Sequence, residues 1–159
     1  MSIIKLNGYD LSLEDLIKVC RYGHKVELTE KAIERIKTAR AIVDDLVENE
    51  KVCYGITTGF GKFSDVVISK KDTRQLQINL IRSHACGVGD PLSEEIVRAM
   101  MLLRINALSK GYSGVRLETL QVLIDMLNAG VHSSRKRFTR FFRRFSAIIS
   151  YGTYYARRR

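Results

Sequence analysis

The chain has 159 residues, of which 45% are hydrophobic, and its formal net charge is +10. This length indicates one domain or part of one, with enough apolar residues to form a core. No apolar run reaches the roughly 20 residues of a membrane-spanning helix, and no secretory signal opens the chain, so we expect a cytoplasmic protein without a membrane partner. The cysteines form no CxxC pair, which argues against a zinc site and a disulfide framework: Cys20, Cys53 and Cys86.

Helical signals follow one another along the first 50 residues. Ser12, with Asp15 three positions later, predicts the start of a short helix that runs to about Cys20. Thr29 predicts the cap of a second, longer helix. The apolar residues of that helix recur at steps of three and four, as they do on one helix face: Ile33, Ile36, Ala39, Val43, Leu46 and Val47.

A short apolar run that ends at Tyr54 leads into a loop with three glycines, residues 55–61. Because glycine permits positive φ and close backbone approach, we predict a loop that folds tightly. A nucleotide-binding P-loop is excluded. Ile56 stands where the first glycine of that motif belongs, and Phe63 follows Gly61-Lys62 where serine or threonine is required.

Three further helices are predicted, and their bounds are about 69–82, 93–109 and 115–129. Ser69 with Asp72 indicates a cap for the first of them, and Gly130 fits the stop of the last. An apolar stripe on the middle helix is predicted to lie in the core: Met100, Met101, Leu102, Leu103 and Ile105.

The composition changes at His132. The stretch from Ser133 to Arg159 holds nine basic residues and no acidic one, so in the rest of the chain 18 basic residues face 17 acidic ones. We therefore predict a boundary between residues 1–132 and a basic, aromatic tail, residues 133–159. Arginine contacts phosphate and aromatic rings stack on bases, so non-specific polyanion binding by the tail is expected. A small nucleic-acid-binding protein that uses this tail is an alternative function.

Four blocks before the tail resemble, in order and spacing, the aromatic amino acid ammonia-lyases. The blocks are Tyr54–Gly61 (YGITTGFG), Ser83–Gly89 (SHACGVG), Arg104–Arg116 (RINALSKGYSGVR) and Leu127–His132 (LNAGVH). The resemblance covers roughly residues 3–132. It implies a mainly α fold, the N-terminal part of the lyase domain, with a short strand and loop region around the Tyr-Gly loop.

The pair Ser83-His84 resembles the histidine branch of this family, whose members eliminate ammonia from L-histidine to give urocanate. Tyrosine aminomutases can carry the same pair, so a tyrosine ammonia-lyase or aminomutase is an alternative. The resemblance implies that the substrate is an amino acid, a small molecule, and that the enzyme is a homotetramer. Metal ligation is not expected, because the three histidines repeat no ligand spacing.

The resemblance also implies roles for single residues. Tyr54 corresponds to the base that removes the β-proton of the substrate. His84 is implied to line the pocket and to orient the substrate's imidazole. Gly59 and Gly61 are implied to let the backbone approach the substrate.

The family's electrophile is a methylidene-imidazolone, which forms by self-cyclisation of an internal Ala-Ser-Gly-type tripeptide. No such tripeptide follows His132, so we expect the chain as written to lack this group and to be inactive alone. If the codons of Arg137–Arg159 are chosen freely, however, reading them one base later permits GSLGSSGDLAPLSHMVLIMLGEG. Because that string contains the tripeptide and its family-like continuation, we hypothesise a truncation by a frameshift near His132 to Arg135, with an out-of-frame tail.

Overall fold

The computed structural model describes residues 2–49, 51–54, 56–59, 62, 66, 68, 73–84 and 92–131, with the backbone alone at 73, 74, 77, 80, 81 and 84. The elements in this part of the chain are β1 (Ile3–Leu6), α1 (Leu13–Tyr22), β2 (Lys25–Leu28), α2 (Glu30–Glu48), α3 (Thr73–His84), α4 (Glu94–Leu108) and α5 (Leu117–Asn128). The predicted mainly helical fold is confirmed. The predicted cap at Ser69 and the tail, residues 133–159, lie outside the described residues.

Side-chain caps begin the first two helices, as predicted. The Ser12 hydroxyl oxygen accepts the N–H of Asp15 at 3.1 Å, and the Thr29 hydroxyl oxygen accepts the N–H of Ala32 at 3.3 Å. Each bond satisfies one of the backbone donors that a helix start leaves unpaired. Ser93 occupies the corresponding position of α4, but its side chain makes no capping bond.

Strands β1 and β2 form a parallel pair that was not predicted from the sequence. Ile3 lies opposite Lys25 in this register, and α1 is the crossover that a parallel connection requires. On β2, the N–H of Val26 donates to Oδ1 of Asn128 at 2.8 Å, and Nδ2 of Asn128 donates to the Val26 carbonyl at 2.9 Å. A side-chain amide at the end of α5 thus pairs with β2 as a further strand would.

The core lies where α1 packs on α4, α4 on α5, and α5 on β2. Its buried apolar residues are Leu6, Val19, Cys20, Val26, Ile36, Val97, Met101, Leu102, Ile105, Leu108, Val115, Leu120, Leu123, Ile124 and Leu127. The described residues of this cluster come from both strands and from α1, α2, α4 and α5, so residues 6–36 and 97–127 share one core.

The predicted core stripe on α4 is only partly right. Met101, Leu102 and Ile105 are buried, but the Leu103 side chain is 51% exposed and Met100 is half-buried. A helix turns by about 100° per residue, so residues this close in sequence cannot all face one side. Leu103 lies on the face of α4 that points away from the core.

The described cysteines are free thiols. Cys20 is buried in the core, and this burial raises the pKa of its thiol. Cys53 is half-buried, and Cys86 lies outside the described residues. Within the described ranges, no group of His, Cys, Asp and Glu side chains could hold a metal ion, and no helix is long and apolar enough to cross a membrane.

The turn between α4 and α5 packs against α2 at Gly114. Gly114 has φ +63°, and a Cβ there would collide with the side chain of Val43. We expect Gly114→Ala to lower the free energy of unfolding by about 3 kcal/mol, through left-handed strain plus overpacking. Gly23 has φ +69° with nothing within 4 Å, so the control Gly23→Ala should cost about 1 kcal/mol from strain alone. Urea denaturation measures both, and equal losses would show that the Val43 contact is unimportant.

Candidate active site

Tyr54 lies on a tight turn that follows α2. The carbonyl of Cys53 accepts the N–H groups of Ile56 and Thr57, both at 3.0 Å. Two donors on one carbonyl close the backbone around Tyr54, while the Tyr54 side chain is 63% exposed. The turn therefore presents an accessible phenol on a hydrogen-bonded backbone.

Backbone bonds tie this turn to its neighbours on both sides. Before the turn, the N–H of Lys51 donates to the carbonyl of Leu46, in the last turns of α2, at 3.0 Å. After it, Gly59 donates to the carbonyl of Val66, and Ile68 donates to the carbonyl of Thr57, each at 3.1 Å. Thr58 forms an isolated bridge there, and the described residues of this region contain no strand, so the short strand predicted around this loop is not found among them.

The Thr57 side chain forms hydrogen bonds across the same turn, a role that was not predicted from the sequence. Its hydroxyl oxygen accepts the N–H of Cys53 at 2.8 Å and donates to the carbonyl of Lys51 at 2.7 Å. A threonine in a glycine-rich loop is a weak signal for such a side-chain-to-backbone bond. The partners at positions 53 and 51 are set by the folded turn.

The predicted substrate-binding glycines have different outcomes. Gly59 is buried, and its N–H is bonded to Val66. The neighbouring Thr58 is 1% exposed, and its hydroxyl donates to the Gly59 carbonyl at 3.1 Å. Gly59 thus lies in a packed part of the loop, Gly61 lies outside the described residues, and contact of either with substrate stays a prediction.

His84 is the last residue of α3, and its side chain lies outside the described residues. The structure thus puts the residues proposed for the site on two segments, Tyr54 on the turn after α2 and His84 at the C-terminal end of α3. A shared pocket for the phenol and the imidazole stays a prediction.

Helix α5 ends in a hydrogen-bonded turn at Gly130 and Val131. Gly130, with φ +67°, donates its N–H to the Leu127 carbonyl at 3.2 Å, and Val131 donates to the Met126 carbonyl at 2.9 Å. This pair of bonds is the Schellman ending of a helix, which confirms Gly130 as the predicted stop.

Ser113-Gly114 is the one Ser-Gly pair in the sequence, and it does not fit a self-cyclising tripeptide. Tyr112 precedes it where the tripeptide has alanine. The Ser113 hydroxyl oxygen accepts the N–H of Val115 at 3.4 Å, and the Gly114 carbonyl accepts a bond from Arg40 at 3.2 Å. The pair belongs to the turn that packs on α2.

Comparison with known proteins identifies relatives over most of the chain. The family model described as aromatic amino acid lyase matches residues 11–134. The histidine ammonia-lyase of Alkaliphilus oremlandii is 63% identical over 132 residues, which are 83% of this chain and 26% of that protein.

Solved structures show the same similarity. The histidine ammonia-lyase from Trypanosoma cruzi matches with a TM-score of 0.73 and 40% identity, over 80% of this chain and 24% of that one. The tyrosine aminomutase from Streptomyces globisporus matches with a TM-score of 0.78 and 32% identity, over 84% of this chain and 25% of that one. The chain spans about a quarter of the length of the relatives it matches.

Proposed function

Because the chain belongs to the aromatic amino acid lyase family, we propose that it is the amino-terminal segment of an ammonia-lyase that converts L-histidine to urocanate. The relatives are about four times as long as the matched segment. The activity therefore belongs to a whole enzyme, a homotetramer as in the family, to which this segment contributes part of the active site.

The proposed reaction removes one proton and breaks one C–N bond. Tyr54, as the phenolate, takes the proton from the β-carbon of histidine. The electron pair of that C–H bond becomes the second bond between the α- and β-carbons, and the pair of the C–N bond leaves with the nitrogen. Ammonia and urocanate are the products.

His84, at the end of α3, belongs to the second segment of the proposed site and would hold the side chain of the substrate. The imidazole of His84 is proposed to hydrogen-bond the imidazole of the substrate, a contact that requires a polar side chain. Gly59 and Gly61 are proposed to let the loop backbone lie close to the bound amino acid.

In the family a methylidene-imidazolone supplies the electrophile that makes loss of ammonia feasible. The described residues do not form it, since Ser113-Gly114 is part of a packed turn, and the tail contains no Ser-Gly pair. We propose that the 159-residue chain alone is inactive and that the group belongs to the segment that follows in its relatives.

The observation that carries this proposal is Tyr54. Tyr54 is 63% exposed on a turn whose backbone is bonded to α2, and the residues that follow the turn are bonded to Val66 and Ile68. A base must be accessible to its substrate and must also be held in place. The Tyr54 turn provides both.

A hybrid enzyme tests the proposal. Residues 1–132 of this chain replace the corresponding residues of the Alkaliphilus oremlandii histidine ammonia-lyase, which is 63% identical to this chain over 132 residues. We expect the hybrid to form urocanate from histidine, measured by ultraviolet absorbance, and the 159-residue chain alone to form none. A folded hybrid without activity towards histidine would contradict the proposed function.

The same hybrid tests tyrosine as an alternative substrate, because the chain is also similar to a tyrosine aminomutase. Tyrosine offered to the hybrid should give no coumarate if His84 selects for histidine.

The other alternative, nucleic-acid binding, predicts tight and sequence-selective binding by the 159-residue chain in a mobility-shift assay, abolished when residues 133–159 are deleted. We expect only weak binding without sequence preference, because arginine-phosphate contacts read no base.

The frameshift hypothesis is tested by the gene itself. We propose that the codons of Arg137–Arg159, read one base later, encode the tripeptide and its family-like continuation. A nucleotide sequence whose codons forbid that string would contradict the hypothesis and leave the family assignment intact.

A further inference from the structure

We propose that Thr57 is a positioning residue for the proposed reaction, whose hydroxyl fixes the turn that carries Tyr54. This inference rests on the proposed function. Tyr54 is the middle residue of the segment 51–57, and the Thr57 hydroxyl closes that segment from one end. It donates to the Lys51 carbonyl at 2.7 Å and accepts the Cys53 N–H at 2.8 Å.

The hydroxyl and the backbone N–H of Thr57 bond within this turn, and its carbonyl bonds outside it. Its backbone N–H donates to the Cys53 carbonyl at 3.0 Å, and its own carbonyl accepts the N–H of Ile68 at 3.1 Å. A hydroxyl can donate one bond and accept others, so a single side chain links the segments before and after Tyr54. Lys51 is in turn bonded to Leu46 near the end of α2. These bonds connect the turn that carries Tyr54 to a helix.

The two bonds of the Thr57 hydroxyl should affect the geometry of the turn more than the stability of the fold. The Lys51 bond is exposed and the Cys53 bond is only partly buried. If the hydroxyl is removed, water can bond to the freed carbonyl and N–H, so the cost in folding free energy is small. The turn would lose its closure, and the distance from the phenol oxygen to the substrate's β-carbon would no longer be fixed.

The test replaces Thr57 in the hybrid enzyme and measures kcat and KM for histidine. Thr57→Val keeps the shape and deletes the hydroxyl, and we expect kcat to fall by roughly 10- to 100-fold with little change in KM, because misplacement of the base affects the transition state more than binding. Thr57→Ser keeps the hydroxyl and should stay within about threefold of the parent. The matched control is Thr38→Val, which removes a hydroxyl that donates to the Glu34 carbonyl within α2 and which should leave both constants unchanged.

The outcomes separate this inference from the proposed function. Parental kcat in Thr57→Val, or a Thr57→Ser enzyme as slow as Thr57→Val, overturns the role of the hydroxyl. A parent hybrid that is inactive, or a Tyr54→Phe hybrid with parental kcat, overturns the proposed function instead.

A second measurement uses the 159-residue chain and does not depend on activity or assembly. With ¹³C-labelled tyrosine, the aromatic NMR signal of Tyr54 is identified by its loss in Tyr54→Phe. We expect Thr57→Val to sharpen that signal and move it towards the position of free tyrosine, while Thr57→Ser and Thr38→Val leave it in place. An unchanged Tyr54 signal in Thr57→Val would show that the hydroxyl does not order the turn.

Discussion

Tyr54→Phe should lower kcat of the hybrid enzyme by about 10³-fold, the central value for loss of a positioned general base. Phenylalanine keeps the ring and removes only the oxygen that would accept the β-proton. Because Tyr54 is 63% exposed, the missing hydroxyl leaves no buried gap, and the bonds of Thr57 and of the Cys53 carbonyl still close the turn. The melting temperature of the variant should therefore match that of the parent, and the loss should appear in turnover.

Tyr22→Phe is the matched control. Tyr22 lies at the end of α1, and its side chain is 64% exposed, so the two substitutions remove the same group from equally accessible positions. Urocanate formation by Tyr22→Phe should equal that of the parent. If Tyr54→Phe retains more than about a tenth of the parental kcat, Tyr54 is not the base.

Arg98→Met should lower the free energy of unfolding of the 159-residue chain by about 3 kcal/mol, because it strips bonds from buried carbonyls. Arg98 is 7% exposed. Its Nε and Nη2 donate to the Val19 carbonyl at 3.3 and 2.8 Å, and its Nη1 donates to the Leu127 carbonyl at 3.2 Å. These carbonyls lie in the last turns of α1 and α5. Carbonyls at a helix end have no N–H partner within the helix, and the helix dipole favours a cation there.

The geometry explains how a buried guanidinium is tolerated. Within the described part of the chain, no carboxylate forms an ion pair with Arg98, so two helix ends provide the compensating negative potential. Methionine fills the apolar space but cannot donate, which leaves the Val19 carbonyl without this partner. Urea denaturation, monitored by circular dichroism, measures the loss.

Arg21→Met is the control for this prediction. Arg21 also joins α1 to α4, through Nε to Oε1 of Glu95 at 2.6 Å, but both side chains are at least half exposed. The bond to Glu95 raises the pKa of the Arg21 guanidinium, yet solvent screens an exposed pair, so the denaturation midpoint should hardly move. Equal effects of the two substitutions would show that the helix-end contacts of Arg98 contribute little.

The part of the candidate site that could be predicted from the sequence consists of motifs of consecutive residues. Tyr54, Gly59 and His84 were singled out from motifs that the sequence displays directly, although the third helix was predicted to end near position 82 and ends at His84. Thr57 did not follow, because its partners are backbone groups, which every residue carries. Only the folded turn selects Lys51 and Cys53 among them.

The sequence by itself determined the family, the helix starts at Ser12 and Thr29, and the stop at Gly130. Each depends on groups within a few positions of one another, such as a cap oxygen and an N–H three residues later, or on a motif of adjacent residues. The tertiary structure alone decided the parallel pairing of β1 with β2 and the contact of Asn128 with Val26. It also decided that Arg98 would bond to two helix ends and that Leu103 would face away from the core. These features join residues that are distant along the chain, and their partners are set by packing, which local sequence patterns do not encode.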